Sequence, residues 1–137
     1  NPDLNAQFDT NEQVLAHHAK FSRIHRALKP YLIDMAALNA ERGIPVTRPL
    51  FYHYDGERER KESTEYLLGR DLLVAPIIRE GAKSREVYFP DDRWISIWNG
   101  KEYGRGCAEI DAPIGTVPVF YRKNSEYSEI FEKLKEA

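Results

Sequence analysis

Two spacings of apolar residues divide the chain. From about Asp9 to Arg42 they recur at helical intervals: Val14, Phe21, Ile24 and Leu28 share one face, and Tyr31, Met35 and Leu38 continue it, because residues three or four apart stack on one side of a helix. Thr10 with Gln13 predicts a capping box at the start. Gly43, with Pro45 just beyond, predicts the stop. Pro30 interrupts the pattern. It has no backbone N–H and its ring crowds the preceding turn, so it predicts a kink or a split into two helices.

After Pro45 the spacing shortens to that of strands. "VTRPLFYHY" reads as a strand, with Pro49 placing it at a sheet edge or a bulge. Asp55-Gly56 reads as a turn and "ERERKESTEYLL" as a short helix. The runs "LLVAPII", "REVYF", "WISIW", "CAEID" and "VPVFYR" follow as strands, divided by turns such as Pro90-Asp91-Asp92 and Asn99-Gly100. Such spacing predicts an antiparallel β-sandwich or barrel. Its expected core includes Leu72, Val74, Ile77, Val87, Phe89, Ile97, Val119 and Tyr121. From Ser125 an amphipathic helix is expected, with Tyr127, Ile130, Phe131 and Leu134 as its apolar face. The predicted class is α+β: a long helix, an antiparallel sandwich and a short terminal helix.

With 137 residues, 42% of them hydrophobic and 31% charged, the chain can bury a real core. A net charge of −2, with 20 scattered basic residues, leaves no footprint for nucleic acid or an anionic membrane. No apolar run reaches membrane-spanning length, and the N-terminus lacks a secretory pattern. The single cysteine, Cys107, cannot form an internal disulfide, which favours a reducing, cytoplasmic setting. A start at Asn1, in a polar loop without an initiator methionine, leads us to expect a piece of a longer protein.

Candidate chemistry is sparse. Gly69-Arg70-Asp71 could supply a carboxylate tuned by an arginine. The structural reading is favoured: Gly69 ends the preceding helix, and Asp71 pairs with loop amides before the chain enters a buried strand. Among His17, His18, His25 and His53, the pair His18 and His25 lies seven apart, too far for one zinc ion. No metal or cofactor is expected. In "DDRWISIWNG", strand alternation puts Trp94, Ser96 and Trp98 on one face and Ile95 and Ile97 on the other. With Tyr103 the tryptophans could make a sugar-stacking platform, although sandwich core is the favoured reading. Gly115 opens no helix and is no phosphate loop, and Cys107 has no base at hand.

Four motifs in order, "RPLFYHY", "YLLGRDLLVAPI", "YFPDDRWISIWNG" and "APIGTVPVFYR", resemble the segment that follows the catalytic barrel in glycoside hydrolase family 31. That family includes α-glucosidases, α-xylosidases and sulfoquinovosidases. "ALNAERGIPVTRPLFYHY" and "LLGRDLLVAPI" resemble most the bacterial sulfoquinovosidase-like branch. The resemblance implies that residues 1–44 carry the last outer helix of a (β/α)8 barrel and 45–137 a proximal β-sandwich. It implies a parent that hydrolyses α-glucoside-type or sulfoquinovoside bonds with retention, using two aspartates about 5–5.5 Å apart. No residue here matches either aspartate motif, so no catalytic residue and no substrate-binding residue is assigned. Gly69-Arg70-Asp71 becomes the entry to a buried strand. At most "NPDLNAQF" keeps the trailing edge of an active-site loop. The implied partners are the parent's barrel and, through it, a carbohydrate. A free-standing carbohydrate-binding module using Trp94 and Trp98 is the other candidate. With no barrel strands in the chain, the stripe Val14, Phe21, Ile24, Leu28 and Met35 is expected to lie open to solvent.

Overall fold

The computed structural model describes Gln7 and residues 9–136; "NPDLNAQF", Gln7 apart, lies outside the described residues. Helix α1 spans Glu12–Arg42. Its N-cap is Asn11, whose side chain accepts the Val14 N–H at 2.9 Å. Thr10 is therefore not the cap: its hydroxyl closes a loop with Gln7 instead. Gly43 ends the helix at φ 67, and its N–H reaches the Asn39 carbonyl, as a left-handed glycine cap does. The helix runs through Pro30 without splitting. One lost backbone bond is a small loss in a 31-residue helix held along its length by packing.

Among the described residues eight strands follow: β1 Thr47–Arg48, β2 Tyr66–Leu68, β3 Leu72–Val74, β4 Ser84–Phe89, β5 Trp94–Ser96, β6 Glu102–Tyr103, β7 Gly106–Asp111 and β8 Val119–Arg122. Every pairing is antiparallel. Six strands form one sheet in the order β1-β2-β3-β8-β5-β6, and β4 pairs with β7 in a separate ribbon. The chain closes with α3, Ser128–Glu132, and a 3-10 turn at Lys133–Glu136; Phe131 and Leu134 are its buried side chains.

Two expected elements are different. "VTRPLFYHY" is a strand for only two residues, the sheet edge, and then tightens into a 3-10 turn at Leu50–Tyr52. Pro49 offers no N–H to a ladder, so pairing stops there. "ERERKESTEYLL" divides into α2, Glu57–Lys61, and strand β2. Gly69 therefore ends no helix; it sits in the turn between β2 and β3 with φ 64.

The sheet is covered on both sides. Alternation sends Leu67, Leu73, Trp94 and Phe120 toward the ribbon, where they pack with Val87, Tyr88 and Phe89. It sends Leu72, Ile97 and Tyr121 toward α1 and α3, where they meet Ile24, Tyr31, Met35 and Phe131. Six of the eight expected core residues are buried; Ile77 and Val119 are half-buried. The expectation of an open helix stripe fails. Ile24 and Met35 are buried and Leu28 partly so, because α1 packs on the outer face of the sheet, leaving Phe21 exposed. Besides Phe21, Leu15 at 48% and Ile33 at 54% stand open on α1, off the packed stripe.

Candidate functional site

One densely bonded polar centre is Gly69-Arg70-Asp71. Gly69 lets Tyr31 approach: a Cβ there would lie 2.1 Å from Tyr31 Oη. Tyr31 Oη donates to the Leu68 carbonyl at 2.6 Å and accepts the Asp71 N–H at 3.1 Å, so one side chain of α1 closes the turn from above. Burial pushes its hydroxyl up to about 12, which keeps it a donor at neutral pH. Asp71 is buried. Its carboxylate accepts Arg122 Nε at 2.6 Å and Ser125 Oγ at 2.9 Å, not loop amides as the sequence suggested. Both oxygens are thus committed to β8 and to the turn leading into α3.

Around this centre lies a basic rim. Arg70 donates to Tyr54 Oη at 2.9 Å, and Tyr54 donates to Asp92 at 3.1 Å. Arg48 is buried; it donates to the Pro45 carbonyl at 2.6 Å and to His53 Nε2 at 2.8 Å. His53 must be neutral to accept, and its pKa is pushed down to about 4 by burial first and then by Arg70, Arg48 and Arg122. This rim was not singled out from sequence. The contrast in "RPLFYHY" between an inward Arg48 and outward Phe51 and Tyr52 has no period that would reveal it.

A second buried acid, Glu65, joins β2 to the ribbon. Its Oε1 accepts the Tyr88 N–H at 2.9 Å and Arg85 at 3.1 Å, while Oε2 is buried without a partner among the described residues. Burial raises its pKa to about 7, with Glu62 adding to the rise and the Tyr88 N–H and Arg85 opposing it. A carboxyl raised on folding binds a proton that the unfolded chain has released. Its contribution is fully present below the unfolded value of 4.5 and is lost as pH rises through about 7. We expect Glu65→Gln to gain on wild type by about 2–3 kcal/mol between pH 4.5 and 8. Urea unfolding of both proteins across that range checks this. A pH-independent difference would mean that Glu65 titrates as in water.

The tryptophans do not share a face, which removes the sugar platform. Trp94 is fully buried among the ribbon-facing side chains, and Tyr103 stacks on Phe89 at 4.7 Å. Alternation holds through Ile97, one residue past the end of β5; the chain then turns, and Trp98 packs on the α1 side with Ile97. There its indole N–H donates to the Val117 carbonyl at 2.6 Å and Lys20 Nζ lies 4.3 Å over the ring. Two open clefts flank Trp98: a polar one of about 300 Å³ with Asn99, Lys101 and Asp111, and an apolar one of about 240 Å³ with Phe21, Leu28 and Val74. Gly115 is held against α1, with Lys20 donating to its carbonyl at 2.8 Å. Among the described residues, no three His, Cys, Asp or Glu side chains converge to hold a metal, and no helix is long and apolar enough to cross a membrane. Cys107 is exposed.

These sites stand on a six-stranded antiparallel sheet backed by a helix on one face and a β-ribbon on the other. Residues 43–125 match the glycosyl hydrolase family 31 C-terminal domain, and the chain belongs to that family. It is 44% identical to a sulfoquinovosidase of Escherichia coli over 98% of this chain and 20% of that protein. It is 40% identical to a sulfoquinovosidase of Agrobacterium fabrum over 98% of this chain and 21% of that one. A family 31 sulfoquinovosidase from E. rectale, solved with an aza-sugar inhibitor, superposes with a TM-score of 0.95 at 39% identity, covering 98% of this chain and 20% of the other. The chain thus spans about a fifth of the length of these relatives.

Proposed function

We propose that the chain is the C-terminal scaffold of a retaining α-glycosidase acting on α-glucoside-type or sulfoquinovoside substrates, with sulfoquinovosides favoured. The observation that carries a scaffold role is the state of Asp71. Both its oxygens are engaged by Arg122 and Ser125, and it is buried, so it is placed to hold elements together and not to meet a sugar. In this reading residues 1–44 carry the last outer helix of a barrel and 45–137 the sandwich beside it. The open side chains Leu15 and Ile33 on α1 would then meet barrel neighbours, since each buried side chain of that size contributes about 1.5–3 kcal/mol. Hydrolysis itself would belong to two aspartates on barrel loops, through a glycosyl-aspartate intermediate. The choice of sulfoquinovoside follows the two sulfoquinovosidases at 44% and 40% identity. An unpaired, exposed Cys107 suits a cytoplasmic setting.

The 137-residue chain alone is expected to show no turnover of aryl α-glucosides or aryl α-sulfoquinovosides, while the full-length protein cleaves the latter with retained anomeric configuration. NMR of the first-formed sugar checks the stereochemistry. Turnover by the chain alone that disappears in Asp71→Asn would sink the scaffold reading.

A further inference from the structure

The rim beside the Gly69-Arg70-Asp71 turn carries more positive charge than the described residues neutralise. Three guanidinium groups, Arg48, Arg70 and Arg122, act on His53 there, against two nearby carboxylates, Asp71 and Asp92. Both carboxylates are committed. Asp71 is held by Arg122 and Ser125; Asp92 accepts from Tyr54, from the Arg93 N–H and, at 3.4 Å, from Arg122. Arg48 is only 3% exposed, yet its partners among the described residues are a carbonyl, His53 Nε2, the Met35 sulfur at 3.7 Å and the Tyr52 ring at 5.5 Å, none of them an anion. Among the described residues no carboxylate pairs with it. A buried cation without a counter-charge is costly, and the guanidinium is the group best shaped to take a carboxylate.

The reachable donors lie in front of Arg48. Arg70 is half-buried, and among the described residues its guanidinium meets the hydroxyl and, at 5.0 Å, the ring of Tyr54. His53 is half-buried too; with Nε2 accepting from Arg48, its proton sits on Nδ1, which has no acceptor among the described residues. Beside them Phe51 and Tyr52 are 51% and 44% exposed. Unmet positive charge next to open aromatic rings fits an acidic segment that also brings apolar contact.

We propose that this rim, with Arg70 in front and Arg48 behind His53, seats an aspartate or glutamate side chain from the part of the full-length protein that lies outside these 137 residues. The proposal rests on the scaffold reading and names the chemistry of the contact. The carboxylate would accept from the Arg70 guanidinium, with His53 Nδ1–H as a second donor, while Phe51 and Tyr52 pack against the surrounding segment.

The test is the crystal structure of the full-length protein, grown without sulfate or phosphate, together with thermal unfolding of Arg70→Glu. An Asp or Glu oxygen from outside this region within about 4 Å of Arg70 is the expected result. Arg70→Glu is expected to lower the Tm of the full-length protein by several degrees, to leave the 137-residue chain close to wild type, and to be rescued by reversing the charge of the contacting acid. Arg70 facing solvent or only a free anion overturns the proposal, as does an equal loss of Tm in both proteins. A full-length protein without a catalytic barrel would instead refute the scaffold reading, a separable outcome.

Discussion

Asp71→Ala is expected to destabilise the chain by about 3–5 kcal/mol, because it breaks a buried ion pair by removing one partner. Arg122, drawn in at 2.6 Å, keeps only a long contact of 3.4 Å to Asp92. Ser125 loses the acceptor that fixes the turn before α3, where the Tyr127 N–H also bonds its hydroxyl. The damage should spread to the packing of Phe131 against Tyr31 and Tyr121. Urea denaturation followed by near-ultraviolet circular dichroism reads both effects. Asp71→Asn keeps the shape and one acceptor and should lose less. A loss below about 1 kcal/mol in the alanine variant, the range of a surface pair, would show that Asp71 is not the tie described above.

Gly69→Ala should be comparably harmful for a different reason. At φ 64 an alanine is strained by roughly 1–2 kcal/mol. Its methyl would also lie 2.1 Å from Tyr31 Oη and 2.7 Å from the Met35 sulfur, so α1 must back away. The two bonds of Tyr31 to the turn would go with it, each contributing about 1 kcal/mol. A total of about 3–4 kcal/mol is expected by thermal or urea unfolding. The double variant Gly69→Ala with Tyr31→Phe separates the causes. If removing the hydroxyl relieves none of the loss, the contact with Tyr31 is not the source.

The two variants probe one junction, and the way that junction is built bears on what a linear reading can see. Gly69-Arg70-Asp71 was conspicuous as glycine, charge and then an apolar run, and it does lead into the buried strand β3, but Gly69 ends no helix and Asp71 binds Arg122 and Ser125 in place of loop amides. Its partners were not legible: Tyr31, Arg122 and Ser125 lie 40, 51 and 54 positions from Asp71. No local spacing links them. Glu65 was equally silent, since it differs from its exposed neighbours only in what folds over it. The wrong cap at Thr10 was a near miss of one residue, decided by which side chain the loop left free to turn back.

Period alone determined the long helix, its glycine stop, most of the strands and the apolar face of the tail, because 3.6-fold and two-fold repeats are written in adjacent residues. The ordered motifs likewise carried the family, since they are contiguous strings. Tertiary structure decided what those elements face. It covered the helix stripe with the sheet, turned Trp98 away from Trp94 once the strand ended at Ser96, cut "VTRPLFYHY" short at Pro49, and gathered Arg48, His53 and Arg70 into one rim. Burial and charge balance are sums over residues distant in the chain, so they exist only once the fold has brought those residues together.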